Sequence, residues 1–101
     1  MKVVYAERAR QDIAAIYDYI SLNNALAAQI VEDAIRAACE ALADFPLAAP
    51  TTDEPGVRRA PLVRYPYTIF YRVDAERQRI EIARVIHAAR IRSLGSLPDD
   101  V

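Results

Sequence analysis

The 101-residue sequence contains two glycines, one cysteine, one histidine and no long apolar run. Each scarcity closes a class of function. With so little glycine there is no loop whose bare backbone could cradle a phosphate, as dinucleotide-binding and P-loop sequences require. The single cysteine, Cys39, cannot form an internal disulfide; in its alanine-rich setting it reads as a small buried thiol. Cys39 and His87 lie far apart in sequence and supply too few ligands for a metal site, so no metal and no cofactor are expected. No window reaches the apolar length a membrane helix needs, and the N-terminal MKVVYAERAR lacks the apolar centre of a signal peptide. The expectation is a cytoplasmic chain with no membrane attachment. No serine-based nucleophile motif occurs.

What the chain does have is arginine, unevenly spread. Residues 1–56 carry four basic side chains against nine acidic ones, a net of −5. Residues 57–92 carry nine arginines and no lysine against three acidic residues, a net of +6, and the whole chain returns to −1. Such a split points to an anionic partner for the basic half, or to two halves that complement each other within one fold. The use of arginine alone favours bidentate or stacked contacts over diffuse attraction.

The length fits one domain, expected over residues 1–92 with a tail at 93–101. KVVY at 2–5 is β-branched and aromatic and suits a first strand. From Ala6 the period becomes helical, with Ala9, Ile13, Ile16, Tyr17 and Ile20 on one stripe. SLNN breaks the pattern, and Asn23 or Asn24 can cap a second helix over about residues 25–44. Its expected inner stripe is Ile30, Ala34, Ala38, Ala41 and Leu42. Phe45-Pro46 ends it, because a residue before proline avoids the helical region. A Pro-rich loop at 46–56 follows, then strands at 57–63, 66–73 and 79–87, the last two joined by the polar turn DAERQ. The reading is an α+β domain, β-α-α-β-β-β, with a helical hairpin packed on an antiparallel sheet.

Strict alternation puts Tyr67, Ile69, Tyr71 and Val73 on one face of the third strand and Thr68, Phe70 and Arg72 on the other. In the fourth it groups Ile80, Ile82, Arg84 and Ile86 against Glu81, Ala83, Val85 and His87. Either Arg84 points inward by parity or a bulge re-aims it. His87 closes the strand; it is a general acid–base candidate by its ordinary pKa, or simply a hydrogen-bonding strand end.

YAERARQDIAAIYDYI, LADFP, GVRRAP, PYTIFYRVD and IEIARVIHAAR, in that order over residues 2–92, resemble the RelE/ParE superfamily of type II toxin–antitoxin toxins. The resemblance implies the strand–helix–helix–sheet fold and a partner antitoxin of the ParD kind, held in a hetero-oligomer. It also implies one of two activities. ParE-like members poison DNA gyrase, whereas RelE-like members cut mRNA on the ribosome. The nucleases resemble Y-R-h-h-Y (h is apolar) in the third strand, with an arginine serving the scissile phosphate. This chain reads YTIFY, so Thr68 takes that place, and no tyrosine follows Tyr71.

A hydroxyl offers no charged fork to a phosphate, and the overall pI near 5.8 suits a ribosome-directed nuclease poorly. The resemblance therefore leans toward ParE-like gyrase inhibition, with mRNA cleavage as the alternative and His87, Arg72 and Arg90 as its site. Target contacts are expected at Arg58, Arg59, Arg64, Arg72, Arg84, Arg90 and Arg92. Antitoxin contacts are expected at Tyr17, Tyr19, Ile20 and the sheet near Phe70.

Overall fold

A computed structural model describes residues 1–94 of the chain. The elements run β1 (Lys2–Tyr5), α1 (Glu7–Ser21), α2 (Ala25–Asp44), β2 (Arg58–Pro61), β3 (Tyr67–Asp74), β4 (Arg79–His87) and α3 (Ala88–Leu94). Of the expected tail, Ser93 and Leu94 continue α3 and the rest lies outside the described residues. No helix among the described residues is long and apolar enough to cross a membrane.

Local chemistry accounts for the helix ends. The Asn24 side chain accepts a hydrogen bond from the Ala27 N–H at 3.0 Å, which fixes the start of α2. Glu7 places a negative charge in the first turn of α1, where the exposed N–H groups favour it. The inner stripe of α2 is shifted from the expected one, although Ala38 and Leu42 do pack against the core. Ala28, Val31, Ile35, Cys39 and Ala43 are buried, whereas Ile30 is 49% exposed and Ala41 faces solvent. Alanine and β-branched residues surround this helix, so several i, i+4 ladders fit the pattern. The one that buries the bulky Val31 and Ile35 removes more apolar surface from water than an alanine ladder does.

The four strands form one sheet in the order β1-β4-β3-β2. β2, β3 and β4 are antiparallel as expected, but β1 runs parallel to β4, pairing Val3 with Ile80 and Tyr5 with Ile82. The helical hairpin causes this. It makes a round trip, so α2 ends where β1 began and the Met1 ammonium donates to the Ala43 carbonyl at 3.2 Å. β2 therefore sets out in the direction of β1, and two reversals later β4 runs the same way.

Between β3 and β4 the register slips: Phe70 faces Arg84 but Tyr71 faces Ile82, leaving Ala83 as an extra residue. This bulge inverts the alternation expected for the end of β4. Ile80, Ile82 and Val85 pack together against α1 and α2 with Ile13, Ile35, Cys39, Ile69 and Tyr71. Ile86, assigned by strict alternation to the same face as Ile82, instead joins Phe70, Val57 and Ile91 in a second cluster. That cluster is the back of the sheet, and α3 covers it through Ile91.

Candidate functional site

The bulge is pinned from the helical layer. Asp12 on α1 takes the Arg84 guanidinium in two hydrogen bonds, 2.7 Å from Nε to Oδ2 and 3.0 Å from Nη2 to Oδ1. The same Oδ2 accepts the Val85 N–H at 2.9 Å. Arg84 is fully buried and the Asp12 side chain is 12% exposed. A bidentate pair with a third bond from the backbone is the form in which a buried charge is tolerated. Arg84 is thereby withdrawn from the target-contact surface expected of it: it is an internal fastener.

Beyond the bulge, β4 delivers His87 to the end of α1. There a cleft of about 510 Å³ opens between α1, the start of β3 and the end of β4. Ile16, Ile20, Val85 and Ile86 form its aliphatic walls; Tyr19, Tyr67, His87 and Arg90 bring its polar groups. His87 pairs across the strands with Tyr67, and their rings meet edge to face at 5.3 Å and 86°. The Ala89 N–H donates to His87 Nδ1 at 3.0 Å, so the neutral ring carries its proton on Nε2. Burial, reinforced by the neighbouring Tyr19, pushes the Tyr67 hydroxyl above its ordinary pKa and keeps it a proton donor.

Of the three residues expected for phosphodiester cleavage, His87 and Arg90 share the cleft and Arg72 does not. Arg72 lies half-buried on β3 opposite Glu81. Thr68, in the place of the phosphate-gripping arginine, is 3% exposed, on the sheet face that α3 covers. No group of three His, Cys, Asp or Glu side chains among the described residues could hold a metal ion.

The remaining arginines divide by what they hold. Arg58 donates to the carbonyls of Ala49 at 2.7 Å and Leu47 at 3.3 Å, tying down the Pro-rich loop. Arg59, Arg64 and Arg90 are exposed. Arg92 falls on α3, with its side chain outside the described residues. Of the expected antitoxin contacts, Tyr19 and Ile20 line the cleft, while Tyr17 is half-buried and does not line it. Phe70 is fully buried beneath α3 and presents no surface to a partner.

The family described as the ParE toxin of the type II toxin–antitoxin system parDE matches residues 3–92, nearly the whole chain. The chain belongs to the ParE toxin family. Its structure is similar to one from the chromosomal ParDE toxin–antitoxin system of P. aeruginosa, at 28% identity and a TM-score of 0.74, covering 86% of this chain and 95% of the other. It also shares its fold with a chain of the toxin–antitoxin complex RelBE2 from Mycobacterium tuberculosis. There the identity is 22% and the TM-score 0.62, over 85% of this chain and 95% of that one. No curated protein matches the sequence.

Within the ParE family frame, Asp12 and Tyr67 are the site residues that sequence reasoning passed over. Asp12 carried a signal: three residues after Ala9 and four before Ile16, it sits on the apolar stripe of α1, where a lone charge demands a partner. Arg84, a lone cation in the apolar run of β4, was the matching half.

Proposed function

We propose that this ParE-family chain is a cytoplasmic toxin that inhibits DNA gyrase by binding, without cutting nucleic acid, and that a ParD-like antitoxin neutralises it in a hetero-oligomer. The observation that carries the reading is the burial of Thr68. Phosphoryl transfer is driven by charged groups fixed around the phosphate. In this chain the seat for one such group holds a neutral hydroxyl closed off from solvent. Arg84 is committed to Asp12, and Arg72 stands away from His87. The arginines left open, Arg59, Arg64 and Arg90, form the proposed contact surface together with Arg72 and Arg92. Likeness to a ParDE system supports the antitoxin half of the proposal.

Purified toxin is expected to block gyrase supercoiling or to trap cleaved DNA. A toxin that arrests growth yet leaves gyrase untouched in that assay removes the proposal. One feature favours a second reading, a ribosome-dependent mRNA endoribonuclease: His87, Tyr67 and Arg90 do share one cleft. That reading requires mRNA cuts during translation that vanish in His87→Ala. Full toxicity in His87→Ala ends it.

A further inference from the structure

On the flank of α1 turned away from the His87 cleft, a second cavity of about 400 Å³ opens between the two helices and the end of β1. It shares no residue with that cleft. Helical spacing separates the two: Asp12, Ala15, Ile16 and Tyr19 line one cavity, and Arg10, Ile13 and Ala14 line the other. Residues 1–56 hold only four basic side chains, and two of them, Arg10 and Arg36, meet here.

Arg36 comes from α2 already positioned. Its guanidinium lies over the Tyr5 ring, 5.1 Å from the centroid, and its Nε donates to Glu32 Oε2 at 3.4 Å. That bond is long for a charge-assisted one and the Arg36 side chain is 47% exposed, so Glu32 holds it loosely. Arg10 comes from α1, is exposed, and forms no ion pair among the described residues. Two cations against one carboxylate leave the cavity positive, and Ile13 and Ala14 give it an apolar wall.

We propose that this cavity binds a small organic phosphate, with the phosphoryl group shared by Arg10 and Arg36 and the organic part against Ile13 and Ala14. A carboxylate is saturated by one guanidinium fork, whereas a phosphoryl group has three acceptor oxygens and about two charges to divide between two arginines. The volume falls in the range of cavities that hold small organic ligands and leaves room beyond a bare anion. A nucleic acid fits poorly. α2 carries Glu32, Asp33, Glu40 and Asp44 against the single Arg36, and that charge repels a polyanion laid along the helix. Neither His87 nor Arg90 takes part, so the inference stands apart from the choice of toxin target. A bound phosphate ties α1 to α2 and, through the stacked Arg36, to the end of β1, so it stabilises the folded toxin.

The test titrates full-length toxin at low salt with phenyl phosphate, inorganic phosphate and benzoate, following amide and arginine side-chain NMR signals. Phenyl phosphate is expected to bind with a dissociation constant on the order of 1 mM or below. It should move the signals of Tyr5, Arg10, Ala14 and Arg36 and leave those of His87 and Arg90 in place. Benzoate keeps the ring without the phosphate, and inorganic phosphate keeps the anion without the ring; each is expected to bind about tenfold more weakly. Arg10→Gln is expected to weaken phenyl phosphate about tenfold, as for one charge-assisted hydrogen bond. Glu32→Gln is expected to tighten it about threefold, because a repelling carboxylate is gone and Arg36 is released. Misfolding does not raise affinity, so this second variant reads the site even if the first is unstable. Arg77→Gln, exposed and away from the cavity, is the control and leaves affinity unchanged. Saturating phenyl phosphate should raise the thermal midpoint by roughly 5 °C in wild type and by less in Arg10→Gln.

Affinities of Arg10→Gln and Glu32→Gln both within about twofold of wild type overturn the inference, as do shifts centred on His87 and Arg90. Benzoate binding as tightly as phenyl phosphate overturns the phosphate class, and inorganic phosphate binding as tightly overturns the organic part. A short duplex DNA that displaces phenyl phosphate from Arg10 and Arg36 assigns the cavity to nucleic acid and overturns the small ligand.

Discussion

Replacing Asp12 with alanine deletes the carboxylate that grips Arg84 and holds the Val85 N–H at the bulge. The guanidinium that loses it is fully buried. Removing one partner of a buried pair costs about 3–5 kcal/mol, because the remaining charge sits in a poor solvent. Orphaning a buried backbone donor costs a further ~1–3 kcal/mol. One carboxylate serves both, so the terms overlap, and a total loss of about 4–5 kcal/mol is expected. Against the roughly 5–15 kcal/mol available to a whole domain, that is a large fraction. The thermal midpoint should fall by on the order of 20 °C.

Urea unfolding of wild type and variant measures the loss directly, with an unchanged slope confirming that the same surface is exposed in both. The double variant Asp12→Leu with Arg84→Met should be more stable than Asp12→Ala, since it removes both charges and keeps apolar volume. A loss below about 1 kcal/mol for Asp12→Ala at unchanged slope would refute the account of Arg84 as a trapped charge.

Four further outcomes are expected. Burial pushes the Cys39 thiol up to about 11, and burial together with the Cys39 neighbour pushes the Tyr5 hydroxyl up to about 12. Both folded-state values exceed the unfolded ones, so their contribution to stability is present below about pH 9 and is lost as pH rises toward 11–12; alkaline titration of the unfolding midpoint checks the sign. Native Cys39 should likewise resist a thiol reagent at neutral pH and react on unfolding. Thr68→Arg should destabilise the fold by several kcal/mol without creating RNA cleavage, because the new charge would enter a buried position rather than a cleft; a stable variant that cuts RNA contradicts this. Ile91→Ala should cost about 2–3 kcal/mol by opening the cluster under α3, read by chemical denaturation.

Element order and most boundaries were legible because they depend on local signals: the period change after Tyr5, the Asn24 cap, the Pro46 stop and the polar turn after Asp74. What escaped was set by contacts distant in sequence. The phase of α2 depends on which ladder faces the sheet, and alanine on several sides leaves that open. The direction of β1 relative to β4 depends on where the helical hairpin returns. The end of β4 was assigned to the wrong faces because one extra residue, Ala83, cannot be seen in an alternating pattern. His87 and Arg90 stood out as chemistry at a strand end, and the cleft does unite them. Arg84, its direction left open by alternation, was counted among the target contacts because its partner lies 72 residues away on a helix. Arg58 was counted as a free cation, although its fork is held by loop carbonyls. α3 went unread because its start is capped by His87 itself, not by the usual short polar residue.

The pairing of β1 with β4 joins the first strand made to the last. Until β4 leaves the ribosome, β1 lacks its sheet neighbour, Asp12 has no cation to grip, and the cleft lacks one side. At synthesis rates of about 5–20 residues per second the whole chain takes roughly 5–20 seconds to make. Through most of that interval the nascent protein holds neither the closed sheet nor the Asp12–Arg84 pair, so its completed surface exists only once the β4 segment is free.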